Sequence, residues 1–266
     1  MDFTTIMWAI IVLGALAIVF GLILAVAAKV FEVEVDPRLP QIQAALAGAN
    51  CGGCGYPGCS GYAAAVVAGE APTDKCGPGG AEAAAKIAAV MGVDAGSSEK
   101  MIAFVPCSGS SENAALKFDY TGPKTCQAAM GYGGKGTKVC SFSCIGYGDC
   151  VNACKFGAMR LVDGVAKVDR EKCVACMACA EACPKHIIVK VPYSQSELVS
   201  CRSNDKGHAV IKACKVGCIG CMKCAKECPS EAITITNFLA HIDPEKCVKC
   251  GHCETVCPRH IIKPQM

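Results

Sequence analysis

Three runs in this chain read "CVACMACAEACP" (173–184), "CIGCMKCAKECP" (218–229) and "CVKCGHCETVCP" (247–258). Each has the spacing C-x2-C-x2-C-x3-C-P, which curls three thiolates around one corner of a [4Fe–4S] cube and delivers the fourth, through a short helix, to a neighbouring cube. A chain carrying such runs is committed to small loops, hairpins and helices wrapped around inorganic cores. The 266 residues hold 24 cysteines in all. That density fits either a disulfide scaffold or a multi-metal protein. Disulfide-dense folds are short secreted domains, whereas here the length and the tight C-x2-C grouping point to metal and to a reducing compartment. Zinc is the alternative for any four-cysteine site, although zinc ligands come as separated C-x2-C pairs.

A duplication organises the second half. Cys140, Cys144, Cys150, Cys154, Cys173 and Cys183 recur 74 residues later as Cys214, Cys218, Cys224, Cys228, Cys247 and Cys257, and Cys176 and Cys179 recur as Cys250 and Cys253. Cys126 and Cys201 nearly fit, at an offset of 75. In the second repeat the run spacing assigns Cys218, Cys221, Cys224 and Cys257 to one cluster, and Cys247, Cys250, Cys253 and Cys228 to its partner. The first repeat departs from this at "KVCSFSCIGYGDCVNACKF" (138–156), where Tyr147 stands at the position of Cys221. A replacement thiolate is needed, and Cys140 is nearest. The expected sets are therefore Cys140, Cys144, Cys150 and Cys183, and Cys173, Cys176, Cys179 and Cys154. Elimination leaves Cys107, Cys126, Cys201 and Cys214 for a further cluster across both repeats, with simple buried thiols as the alternative. Upstream, "CGGCGYPGC" supplies Cys51, Cys54 and Cys59, joined by Cys76. The expectation is six [4Fe–4S] clusters using every cysteine. With four thiolates around each core in its 2+ state, the formal net charge of +3 would fall to −9. The many lysines then read as counter-charges to clusters and make no case for nucleic acid.

The N-terminal stretch Ile6 to Ala28 is 23 residues without a charge, enough to span a bilayer core of roughly 30 Å. A signal peptide would need a basic n-region before a shorter apolar stretch, and only Asp2 precedes this one. Lys29 and Arg38 follow the span, which together with the redox argument places the body on the cytoplasmic side of the membrane. With no ionisable group inside the span, the chain offers no ion path of its own.

The expected fold class is α+β. It comprises an anchor (1–30), an N-terminal [4Fe–4S] module (36–98), a connector carrying cluster ligands (99–138) and two ferredoxin-like units (139–192 and 193–266). Asp-Gly between the apolar runs of 159–168 is a hairpin signal, repeated less cleanly at 232–242. Residues 81–93 read as a small-residue helix ended by "GSS". Short helices are expected in "CVNAC" and "CAEAC". No GxGxxG follows a strand and no Walker-type loop is present, so no NAD site is expected on this chain by a recognisable dinucleotide fingerprint. His186, His252 and His260 lie beside cluster cysteines and read as surroundings of the clusters. No catalytic acid/base constellation is found, and one-electron relay is the simplest chemistry.

The apolar span, "CGGCGYPGC…C", "VPCSG", "CIGYGDC", "SNDKG" and the doubled ferredoxin runs resemble, over nearly the whole chain, the B subunits of Rnf complexes in their long form with two ferredoxin units. Lys155 departs from the family pattern, in which proline follows that cysteine. The resemblance implies a membrane ferredoxin:NAD+ oxidoreductase coupled to Na+ or H+ translocation. In it this subunit would accept electrons from soluble ferredoxin and relay them to membrane partner subunits, with flavins and the NAD site elsewhere. Lys206, Lys212, Lys215, Lys223, Lys226, Lys246 and Lys249 make the second repeat a candidate dock for an acidic ferredoxin. The rivals are an electron-input subunit of another membrane redox complex, such as a hydrogenase or quinone reductase, and a cluster carrier or redox sensor.

Overall fold

The structure, a computed structural model, describes residues 3–30, 36–96, 99–132 and 134–263. The outermost ends of the expected anchor and second ferredoxin-like unit, and Ser97 and Ser98 of "GSS", lie outside the described residues. The chain divides into two units, Met1–Leu39 and Pro40–Met266. The first is dominated by α1 (Phe3–Val30), a continuous helix whose stretch Ile10–Val30 is long and apolar enough to cross a membrane. Leu13, Phe20 and Leu24 along it are all more than half exposed, which suits hydrocarbon better than water.

From residue 38 onward, three helices build the module around the first four cysteines: α2 (Arg38–Ala45), α3 (Gly58–Val67) and α4 (Gly80–Met91). They bury Ile42, Tyr62, Val66 and Ile87 in a common core. The small-residue helix expected at 81–93 ends at Met91, because Gly92 takes a left-handed φ of +68° and closes it. Tyr62 is buried, and its Oη donates to the carbonyl of Pro72 at 2.7 Å and accepts from the amide of Lys75 at 3.1 Å. That phenol pins the segment that carries Cys76.

The remaining elements form two ferredoxin-like units. Strand β1 (Met101–Phe104) precedes α5 (Cys126–Gly131) and α6 (Asp149–Asn152). Then come the hairpin β2 (Met159–Val162) and β3 (Val165–Val168), helix α7 (Ala178–Glu181) and β4 (Val189–Pro192). The second unit follows with β5 (Leu198–Val199), α8 (Gly207–Ala213), α9 (Lys223–Lys226), the hairpin β6 (Ile233–Thr236) and β7 (Leu239–Ile242), α10 (His252–Val256) and β8 (Ile262–Lys263). The expected hairpins and short helices are present. At the first turn, Asp163 and Gly164 both have positive φ, +47° and +73°; this left-handed pair matches the twist of a two-residue hairpin.

Among the described residues the strands form four two-stranded antiparallel sheets, pairing β1 with β4, β2 with β3, β5 with β8, and β6 with β7. The registers Phe104↔Val189 and Leu198↔Lys263 expose the true correspondence of the repeats. Since Lys263 lies 74 residues after Val189, Leu198 occupies the place of Phe104, and Cys201, three residues on, occupies the place of Cys107. Cys107 and Cys140 are 33 positions apart, Cys201 and Cys214 only 13, so the first unit carries 20 extra residues there. That insertion holds α5, Tyr120 and Tyr132. Cys126 therefore has no counterpart in the second unit, and its near-match to Cys201 by spacing is coincidental.

Candidate metal centres

The cysteines gather into six quartets. Cys51, Cys54, Cys59 and Cys76 line one cavity; Cys218, Cys221, Cys224 and Cys257 line another; Cys228, Cys247, Cys250 and Cys253 line a third, together with the buried carboxylate of Glu197. Cys154, Cys173 and Cys176 are electrostatic neighbours of Cys179. The structure thus brings together the four cysteines of each of these sets.

The other two are exchanged relative to the expected sets. Cys126 lines a cavity with Cys144, Cys150 and Cys183, while Cys140 lines one with Cys107, Cys201 and Cys214. Two features make the exchange. First, the insertion swings α5 onto α6, where the carboxylate of Asp149 accepts from the amides of Cys126 at 2.9 Å and Gln127 at 3.0 Å. The Thr125 hydroxyl oxygen caps the same end by accepting from the Ala128 amide at 3.2 Å. Second, Tyr147, which occupies the place of Cys221, packs against Tyr120 of the insertion with ring centroids 5.7 Å apart. Cys126 thus sits where the missing thiolate is needed. Cys140 is left to meet its repeat partner Cys214 across the junction of the two units.

That junction quartet has approximate twofold character. Cys107 accepts from the amides of Gly109 at 3.4 Å and Cys144 at 3.3 Å. Cys201 accepts from Ser203 at 3.5 Å and Cys218 at 3.3 Å. Cations repeat as well: Lys185 faces Cys140, and Arg259, 74 residues later, faces Cys214 and donates to its carbonyl at 2.7 Å. The buried ammonium of Lys138 bridges the carbonyls of Gly109 (2.7 Å) and Gly164 (2.9 Å), tying the Cys107 loop to the first hairpin. Sequence reasoning missed Asp149, Lys138, Tyr62 and Glu197. A signal for Asp149 was present, since its repeat counterpart is Lys223 and the change coincides with the loss of Cys221 at Tyr147.

The residues fit iron–sulfur clusters better than single ions. Among the described residues, no three His, Cys, Asp or Glu side chains converge tightly enough for one ion. Five of the quartets instead line cavities of about 300 to 410 Å³, including their open mouths, with mostly apolar walls. Burial pushes the thiols of Cys150, Cys179, Cys201 and Cys253 up to about 12, and those of Cys144 and Cys224 up to about 11. Such thiols stay protonated at neutral pH unless a metal displaces the proton.

The Asp149 carboxylate carries a direct prediction. Asp149→Ala removes two charge-assisted hydrogen bonds, each worth about 1.5–3 kcal/mol, and frees the segment that presents Cys126. The expected result is loss of about 4 Fe per chain with the other quartets retained, measured by anaerobic iron and sulfide analysis. Asp149→Glu should restore part of the loss.

Comparison with known proteins agrees with this chemistry. Residues 46–78 match an Fe-S cluster family, and residues 143–188 and 217–261 each match a 4Fe-4S dicluster domain. The B subunit of the Na(+)-translocating ferredoxin:NAD(+) oxidoreductase complex of Acetobacterium woodii is 48% identical over 94% of this chain and 75% of its own length. The B subunit of the ion-translocating oxidoreductase complex of Methanosarcina acetivorans is 42% identical over 96% and 97%. The B subunit of the proton-translocating ferredoxin:NAD(+) oxidoreductase complex of Clostridium ljungdahlii is 40% identical over 97% and 92%. With [4Fe–4S] domains, an apolar N-terminal helix that suits membrane association, and relatives of this similarity over nearly its whole length, the chain belongs to the Rnf family of ion-translocating oxidoreductase B subunits, as an iron–sulfur electron-transfer subunit.

Proposed function

We propose that this chain is the electron-input wire of its complex, taking electrons from reduced soluble ferredoxin at one end and relaying them to membrane partner subunits from the other. The cluster domains would lie on the cytoplasmic face, with each of the six quartets holding a [4Fe–4S] cluster. When bound, such clusters supply reversible one-electron transfer at potentials set by burial, net charge and hydrogen bonds to sulfur.

The observation that carries this reading is the unbroken succession of quartets. Gly53, between Cys51 and Cys54, lies so close to Cys176 that a Cβ built on it would be 2.7 Å from the Cys176 Cα. Helices α6 and α7 thread Cys150, Cys154, Cys179 and Cys183 between two quartets. The amide of Cys144 then donates to Cys107, and that of Cys218 to Cys201, so the junction quartet touches both ferredoxin-like units. Helices α9 and α10 repeat the cross-threading as far as Cys247, Cys250 and Cys253. A cluster carrier would need ligands that release easily. Threading one helix through two quartets works against release and favours permanent residence.

The test uses the full-length chain in detergent with its clusters reconstituted anaerobically, mixed separately with reduced ferredoxin and with NADH. Fast bleaching of the cluster absorbance by ferredoxin alone is the expected outcome. Bleaching by NADH alone would sink the input-wire reading, and bleaching by neither would move the chain to another electron donor.

A further inference from the structure

The two ferredoxin-like units present the same loop in opposite circumstances. In the first unit the loop 173–179 is covered by the N-terminal module. A Cβ built on Gly53 would lie 2.7 Å from the Cα of Cys176, and one on Gly77 would lie 2.5 Å from the carbonyl oxygen of Val174. Only glycine lets two backbones approach so closely. Beneath this cover Ala175 is 5% exposed, and Val174 and Cys176 are half-buried.

Seventy-four residues later the counterparts Val248, Lys249 and Cys250 are all exposed, Val248 at 65%. The backbone is the same, with φ of +52° at Ala175 and +56° at Lys249. What differs is the cover and the charge. Positions 149–154 and 171–181 of the first unit hold three acids and one lysine, whereas positions 223–228 and 245–255 hold three acids and four lysines. The acids of the second set are Glu227, Glu245 and Glu254, and the lysines Lys223, Lys226, Lys246 and Lys249, all exposed. A small apolar residue under a docked module has thus been replaced by a cation on an open one.

We infer that the loop 247–253 is the docking face for a small, soluble, acidic iron–sulfur protein. This partner would seat its own cluster loop, through glycine or similarly small residues, where Gly53 and Gly77 seat in the first unit. The assignment rests on the reading that soluble ferredoxin is the donor, and it names the surface that receives it. Val248 supplies the apolar centre of the contact. Lys246 and Lys249 supply steering and register, and the exposed Cys250 brings the quartet to the contact.

The experiment measures binding without turnover. The full-length chain, clusters loaded, is immobilised in detergent, and an oxidised acidic two-cluster ferredoxin is passed over it at low and high salt. Lys246→Glu/Lys249→Glu should weaken Kd about tenfold at low salt, and the difference should shrink at high salt. Lys249→Ala installs the residue that the first unit already accommodates in this conformation, so the loop keeps its fold; it should weaken binding about threefold. Lys172→Glu, at the exposed counterpart of Lys246 just before the covered loop of the first unit, should change nothing, and iron content should match the parent in all variants. If ferredoxin binds the parent chain but neither Lys249 variant differs from it, the docking face is overturned while the donor reading stands. Loss of binding only in Lys223→Glu/Lys226→Glu would also overturn it, moving the dock onto α9. If the parent neither binds ferredoxin nor is bleached by it, the donor reading falls and this inference falls with it.

Discussion

Replacing Cys140 and Cys214 together by serine should remove about 4 Fe per chain, whereas replacing Cys126 and Cys214 together should remove about 8. The first pair lines one cavity; the second pair is divided between two. A partition by sequence spacing reverses both numbers, so anaerobic iron analysis of the two double variants decides between them. The functional consequence should be larger than the iron count suggests. The junction quartet makes the sulfur contacts to both units through Cys107 and Cys201, and emptying it would open a gap in the middle of the succession. Electron flow from ferredoxin through the complex should fall by at least 100-fold, about 3 kcal/mol on the tenfold-per-1.36 scale. The quartet of the second unit, Cys218, Cys221, Cys224 and Cys257, should still be reducible by ferredoxin. Ordinary turnover in the Cys140→Ser/Cys214→Ser variant would mean that the relay bypasses the junction.

Tyr147→Cys should rescue Cys126→Ser. The single variant Cys126→Ser is expected to lose about 4 Fe per chain, since its quartet would keep only Cys144, Cys150 and Cys183. Adding a thiolate at 147 recreates the run that the second unit uses at Cys221 and should return the iron to the parent level. The rescue forfeits the Tyr147–Tyr120 ring contact, a loss of about 0.5–1.5 kcal/mol, so a slightly lower thermal midpoint should accompany restored iron. A double variant still short of about 4 Fe would show that the insertion holds the corner open too wide for the shorter ligand loop.

The three runs with C-x2-C-x2-C-x3-C-P spacing were legible from sequence because their ligation is local. A few residues of loop bring three sulfurs together, and one turn of helix sets the distance to the fourth. The hairpin at Asp163–Gly164 was legible for the same reason, as were α1 and the approximate extent of α4. Sequence offered Cys107, Cys126, Cys140, Cys201 and Cys214 as candidate ligands, but the structure groups Cys126 and Cys140 the other way round. Their partners are tens of residues away, and a fixed offset of 74 cannot see an insertion of 20 residues lying between Cys107 and Cys140. Nor could spacing reveal that a lone carboxylate, Asp149, would hold the inserted helix in place.

Sequence alone determined the chemistry of this protein. Cysteine number and spacing specify iron–sulfur ligation, the uncharged N-terminal run specifies a helix able to cross a membrane, and the duplication specifies two similar units. Tertiary structure decided how those parts connect. Pairing of β1 with β4 and of β5 with β8 put Cys107 and Cys201 in equivalent places, so the two units meet over one shared quartet. Close backbone approach at Gly53 and Gly77 covered one loop and left its twin open. Local spacing encodes what a few neighbouring residues can grip. Which distant segments close around the same space depends on strand register and packing, and these are settled only when the whole chain has folded.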